Sequence, residues 1–141
     1  SELASCHTAE IGGYTIEDHP FLARGSEMYG RGVQVLFEAF RREVLALDPC
    51  VTEEFMKLYV AYKAETNFVD VVPQAKRLVL TFNLATDEID DPKGLCRDVK
   101  GKGRWGNGDV EFALTSLEEL PYAMGLVRQA FERQMGDGGL A

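Results

Sequence analysis

Histidine, cysteine and tryptophan are scarce in this 141-residue chain, at two, three and one copies, and the scarcity excludes several chemistries. Cys6, Cys50 and Cys96 are odd in number and widely spaced, so they form no disulfide framework and, lacking a C-x-x-C pair, no zinc motif. They read as buried or incidental thiols of a reducing compartment. A histidine-based metal site would need both His7 and His19, and Cys6-His7 falls in a small, polar segment that reads as a tail. No metal and no cofactor are therefore expected. Apolar runs such as Leu78–Leu80 fall far short of the roughly 18–20 residues of a membrane span. The opening Ser-Glu-Leu has neither the basic start nor the apolar stretch of a secretory signal. A cytoplasmic protein with no membrane segment is the expectation, and the start without Met reads as an excised fragment.

Positive charge is also in short supply. Fifteen basic residues face 23 acidic ones, a net charge of −8. Such an excess opposes loose binding to a phosphate backbone, which depends on basic side chains displacing counterions. Only residues 57–105 carry net positive charge, nine basic side chains against seven acidic. A site for an anionic ligand or nucleic acid would have to lie there. The plainer role of the acidic surface is solubility.

What the chain does have is alternation and helical periodicity suited to one domain. Residues 1–13 read as a tail or linker remnant, 14–135 as a single α+β domain, and 136–141 as a frayed tail. Val33, Leu36, Phe37, Phe40, Val44 and Leu47 recur at helical spacing, which predicts an amphipathic helix from about Ser26 to Asp48-Pro49, with Arg41, Arg42 and Glu43 mostly on its outer side. Alternation predicts strands at Lys57–Lys63, Asn67–Val72 and Arg77–Leu84, joined by tight turns as an antiparallel meander. Asp91-Pro92 resembles a cap and first turn of a short helix running through Leu95, Cys96 and Val99. A glycine-rich loop and a fourth strand through Val110, Phe112 and Leu114 come next. Ser116 to Glu119 matches a capping box ahead of a last helix carrying Leu117, Leu120, Met124, Val127 and Phe131 on one face. The expected fold is a four-stranded, mainly antiparallel sheet with two long helices on one face and a short helix before the last strand. Phe37, Phe40, Leu80, Phe112, Val127 and Phe131 should form its core.

No catalytic constellation stands out. Gly101-Lys102-Gly103-Arg104-Trp105-Gly106 spells G-x-G-x-x-G, but a strand follows it where the dinucleotide fingerprint needs a helix, so it reads as a turn. No serine, cysteine or threonine has a base partner in a motif. Glu53-Glu54 is explained by solvent exposure and Asp90-Asp91 by helix capping. Asp70, Asp87 and Lys57 do not take the spacing of a magnesium-dependent nuclease.

The strands are more suggestive. If Leu58, Val60, Tyr62 and Leu78, Leu80, Phe82 face the helices, the other face collects Lys57, Tyr59, Lys63, Arg77, Thr81 and Asn83, with Asp109 and Glu111. Phe68 and Asp70 can be read on either face. Aromatic rings flanked by Lys and Arg can stack bases or hold an anionic ligand. A solvated face, or one covered by the loop 85–108, stands ahead of that reading. Arg97, Trp105 and Asn107 on the loop complete the candidate ligand-binding set, with core capping as the safer role for Trp105.

Several segments carry a resemblance: Tyr14–His19, Lys57–Lys63, Asn67–Gln74, Gly94–Val99, Gly103–Glu111 and Met124–Phe131. They are similar to a bacterial family, domain of unknown function 5655, sometimes labelled predicted transport protein. The resemblance spans Tyr14 to Gln134. Members stand alone or close longer proteins, including ones similar to Gmr-type modification-dependent restriction enzymes. It thus implies a non-catalytic, ligand- or partner-binding accessory domain of a bacterial DNA-processing or phage-defence protein. Its partners would be nucleic acid or another anionic ligand, or upstream domains of a longer chain. A small enzyme acting on nucleic acid or nucleotide through the Lys57/Tyr59/Asp70 face, and a dimerisation module, are the alternatives.

Overall fold

A computed structural model describes residues 8–9, 13–23, 32–99 and 109–139, with side chains for 13–23, 32–99 and 109–135. Seven strands form one sheet: β1 (Thr8–Ala9), β2 (Thr52–Phe55), β3 (Val60–Lys63), β4 (Asn67–Pro73), β5 (Leu78–Phe82), β6 (Arg97–Asp98) and β7 (Val110–Leu114). Their spatial order is β1-β2-β3-β4-β5-β7-β6, antiparallel throughout except for the two-residue parallel pairing of β1 with β2. Among the described residues two helices, α1 (Gly32–Leu45) and α2 (Leu120–Gly139), complete the α+β arrangement.

The α1 stripe packs as its spacing requires. Val33, Leu36, Phe37, Phe40 and Val44 are all buried. Residues paired across neighbouring strands share a face, so the register assigns Glu53, Tyr62, Val69, Phe82 and Val110 to one side, with Val60, Val71, Leu80 and Phe112 on the same side. Both helices cover that side. Phe40 of α1 meets Tyr62 edge-on at 5.8 Å, and Tyr122 of α2 meets Phe112 at 5.9 Å. A register shift between Tyr62 and Lys63 lets Phe68 turn its ring onto Phe131 of α2 at 5.4 Å. Phe37, Phe40, Leu80, Phe112 and Val127 lie in the core and half-buried Phe131 packs on it, as expected. Burying each such side chain contributes roughly 1.5–3 kcal/mol.

The sheet is wider than the four strands expected. β2 was missing from that reading because Thr52-Glu53-Glu54-Phe55 shows no apolar alternation, yet it pairs residue for residue with β3. The strand expected over Lys57–Lys63 begins only at Val60, since Met56 N–H donates to the Tyr59 carbonyl and closes a turn there. Leu58 is consequently exposed rather than on the helix face. The short helix expected after Asp91-Pro92 does not form. Asp91 instead accepts from the Leu95 and Cys96 amides at 3.2 and 2.8 Å, folding a loop that leads into β6. Leu117 lies in a 3-10 turn, Leu117–Glu119, ahead of α2 and is exposed. Glu119 reaches back to the amide and hydroxyl of Thr115, while the Ser116 side chain caps nothing. Residues 26–31, over which the sequence predicts the start of the first helix, and the glycine-rich loop fall outside the described residues.

Candidate functional site

Strand β2 places two consecutive carboxylates on opposite faces of the sheet, because successive side chains of a strand alternate. Both are buried: Glu53 is 0% and Glu54 5% exposed. This corrects the expectation that the pair sits in solvent. Partners supplied by other elements hold each in place, since an unpaired buried carboxylate is strongly disfavoured.

On the helix face, Arg41 grips Glu53 with both ends of its guanidinium, at 2.5 Å from Nη2 to Oε1 and 3.1 Å from Nε to Oε2. Arg41 therefore turns inward from the flank of α1 where periodicity had put it outside. The Tyr62 hydroxyl donates to Glu53 Oε2 at 2.7 Å. Arg41 also lies over the Phe37 and Phe55 rings, at 5.4 and 5.9 Å. Burial together with the Glu53 charge pushes the Tyr62 phenol well above its ordinary range. Burial pulls on Arg41 too, but Glu53 more than offsets it and the guanidinium is held charged. Every polar atom of this cluster has a partner, which marks it as a clamp between α1 and the sheet.

The other face carries a polar row. Glu54, Ala61, Asp70, Thr81, Glu111 and Arg97 follow one another in register across β2, β3, β4, β5, β7 and β6. Glu54, Asp70 and Thr81 are buried, Glu111 is half-buried and Arg97 exposed. Lys63 binds Glu54 at 2.6 Å, and Arg97 binds Glu111 at 3.2 Å. Asn67 donates to Asp70 Oδ1 at 2.9 Å, and Thr81 Oγ1 lies 3.5 Å from the Asp70 carbonyl. Beside this row run Val72, Val79 and Ala113, again in register. Tyr59 stands just outside β3; burial, then the charges of Asp70 and Glu54, raise its phenol pKa, with Lys63 opposing.

The candidate residues that are described do not converge on one point. Lys57 and Tyr59 lie on the β2–β3 turn and Arg77 on the β4–β5 turn, at the same end of the sheet, where Arg77 Nε donates to Gln74 at 2.6 Å. Lys63 ends β3, and Arg97 lies on β6, four strand steps away. At about 4.8 Å per step that separation is roughly 19 Å. Trp105 and Asn107 lie outside the described residues. Asp70 belongs to the row, settling a parity that the valines around it leave open. Sequence reasoning sets Glu53-Glu54 in solvent and Arg41 on the outer side of α1, because their only local signal is a charge in an otherwise strand-forming or helical stretch.

Two further polar groups are structural. His19 is buried, its Nε2 2.8 Å from the Met56 carbonyl and its ring against Phe55. Burial lowers its pKa, opposed by Met56 and Asp18. Tyr122 of α2 hydrogen-bonds Asp91, and burial beside that carboxylate pushes the Cys96 thiol up to about 12, which disfavours the thiolate. Among the described residues no group of three or more His, Cys, Asp or Glu is arranged to hold a metal ion, and no helix is long and apolar enough to cross a membrane.

Comparison with known proteins places these elements. A Haemophilus influenzae protein described as "Uncharacterized protein" is 41% identical over 100 residues, covering 71% of this chain. The chain spans about a third of that relative's length (33%). No solved structure matches. Residues 26–134, which run from the approach to α1 nearly to the end of α2, match the model of a family described as "Domain of unknown function (DUF5655)", and the chain belongs to that family.

Proposed function

We propose that this domain is a non-catalytic accessory module that docks another part of a longer protein across the sheet face away from the helices. The observation that carries this reading is the set of partly exposed residues Tyr59, Lys63, Val72, Ala113, Glu111 and Arg97, apolar and charged together, around the buried Glu54, Asp70 and Thr81 of the row. A face that only meets water does not need to bury carboxylates, and one that only fills a core does not retain them. Mixed apolar and neutralised polar strips are the make-up of protein interfaces. The cations are spread too widely for a small anion. Two of them, Lys63 and Arg97, already neutralise carboxylates of the row. Phosphate along the row would face Glu54, Asp70 and Glu111, which disfavours nucleic acid. The relative, of which the match covers only 33%, supplies the setting such a module needs.

Amide hydrogen exchange on the full-length relative and on its isolated matching segment tests the reading. Docking predicts slower exchange in the full-length protein at the strands corresponding to β2, β3 and β4, over and above any change in α1 and α2. Equal exchange in the two forms would sink it. Titration with short single-stranded and modified duplex DNA at low and moderate salt supplies the opposing outcome. Saturable binding that weakens with salt and disappears in a folded Tyr59→Ala, Lys57→Ala double variant would replace protein docking by nucleic-acid recognition within a DNA-processing protein.

A further inference from the structure

A second feature lies apart from the polar row, where α1 meets the β4–β5 turn and the junction between β7 and α2. A cavity of about 450 Å³ opens there. Its apolar walls include Val35, Leu36, Ala75 and Leu117, and its polar lining residues are Lys76, Thr115 and Ser116. Val35 and Leu117 are 51% and 50% exposed, the two most exposed large apolar side chains described. Isolated exposed apolar residues need no explanation, but two that line one cavity do.

We infer that this cavity binds a small amphiphilic anion, an apolar body of several carbons bearing a carboxylate or comparable head group. Three observations carry the assignment. The volume falls within the roughly 300–1,000 Å³ of small-molecule sites. Lys76 is the only charged residue lining it and forms no ion pair among the described residues. Ser116 occupies a cap position, yet its side chain makes no cap hydrogen bond; the Glu119 amide donates to the Ser116 carbonyl at 3.2 Å instead. A cation and a hydroxyl at the edge of an apolar pocket match a ligand with one anionic end. The apolar walls bury its body, and Lys76 with Ser116 receives the head group through charge-assisted hydrogen bonds. This site is independent of the docking face, so either can fail without the other.

The test is an amide-shift titration of the whole chain by NMR, with sodium octanoate below its micelle-forming concentration and with octan-1-ol as the neutral control. Octanoate should produce saturable shifts centred on Val35, Ala75, Lys76, Ser116 and Leu117. It should bind roughly tenfold tighter than the alcohol, the ratio one charge-assisted hydrogen bond supplies. Lys76→Gln should bring the two affinities together. Val35→Trp should abolish both while leaving the thermal midpoint unchanged, and Leu117→Trp fills the cavity from the opposite wall if the first variant disturbs α1. Equal affinity for acid and alcohol in the wild type, or no saturable shift at these residues, would overturn the assignment. So would shifts of the same amides with protein concentration alone, which would give the cavity to a second copy of the chain.

Discussion

Glu53 and Glu54 are chain neighbours with the same side chain, both buried, yet they serve opposite faces of the sheet in different ways. Glu53 looks into the helix layer and is closed in by the Tyr62 hydroxyl and a bidentate Arg41 that itself lies over two aromatic rings. Glu54 looks away from the helices and holds Lys63, whose side chain keeps 38% of its surface in solvent. The first arrangement is complete and fixes α1 against β2 and β3. The second is open at one partner, and its neighbours Asp70 and Thr81 extend it across the sheet. Burial of a charge alone therefore does not separate scaffold from site; what separates them is how much of each partner remains outside.

Removing a partner on each face turns this difference into numbers. Arg41→Ala should have the largest effect, about 3–5 kcal/mol of lost stability, since it strands a fully buried carboxylate. Urea unfolding of the variant measures it, and pairing it with Glu53→Gln should recover part of the loss. A cost under about 1 kcal/mol would mean that the clamp is not one.

Lys63→Ala should cost much less, at most about 1 kcal/mol, because a half-exposed ammonium is solvated and screened and leaves Glu54 a path to water. The same unfolding assay at 50 mM and 500 mM salt, values on the order of ordinary working buffers, should show the Lys63 contribution shrinking and the Arg41 contribution holding. Equal costs on the two faces would remove the contrast.

The smallest effect concerns pH. His19 has its folded pKa lowered by burial, so the unfolded chain takes up its proton first as pH falls. Stability from this group is full above the unfolded value of about 6.5 and is lost as pH drops below it toward the folded pKa. A shallow decline in stability below neutrality should flatten in His19→Gln, which keeps a donor for the Met56 carbonyl. An unchanged slope would place the pH response among the carboxylates.

Much of the helix layer was legible in the sequence because α1 repeats its apolar residues at 3.6 spacing and β5 and β7 alternate. The candidate site was legible only in part. Parity brought out Tyr59, Lys63, Thr81 and Glu111, but not the burial of Glu54 or the place of Asp70. β2 was hidden because its stabilising partners lie off the strand: Arg41 comes from the preceding helix and Tyr62 from the next strand. The phantom helix after Asp91 has the same cause. Asp91 followed by Pro92 has a local helix signature, but Tyr122, 31 residues on, takes the carboxylate, and the loop forms instead.

That loop is fastened to the last helix at successive points. Besides Asp91 to Tyr122, Asp90 exchanges hydrogen bonds with Gln129 through its amide and carbonyl, at 2.7 and 2.8 Å, and Glu88 pairs with Arg133 at 2.6 Å. All three anchors lie on α2, the last described element of this domain in chain order. A nascent chain can assemble the β2–β5 meander against α1 early, since those elements are consecutive, but residues 88–91 have nothing to fasten to until α2 has emerged. The closing of this domain thus waits until α2 has been made, and a chain stopped within α2 would be held as a half-finished sheet with its strap undone.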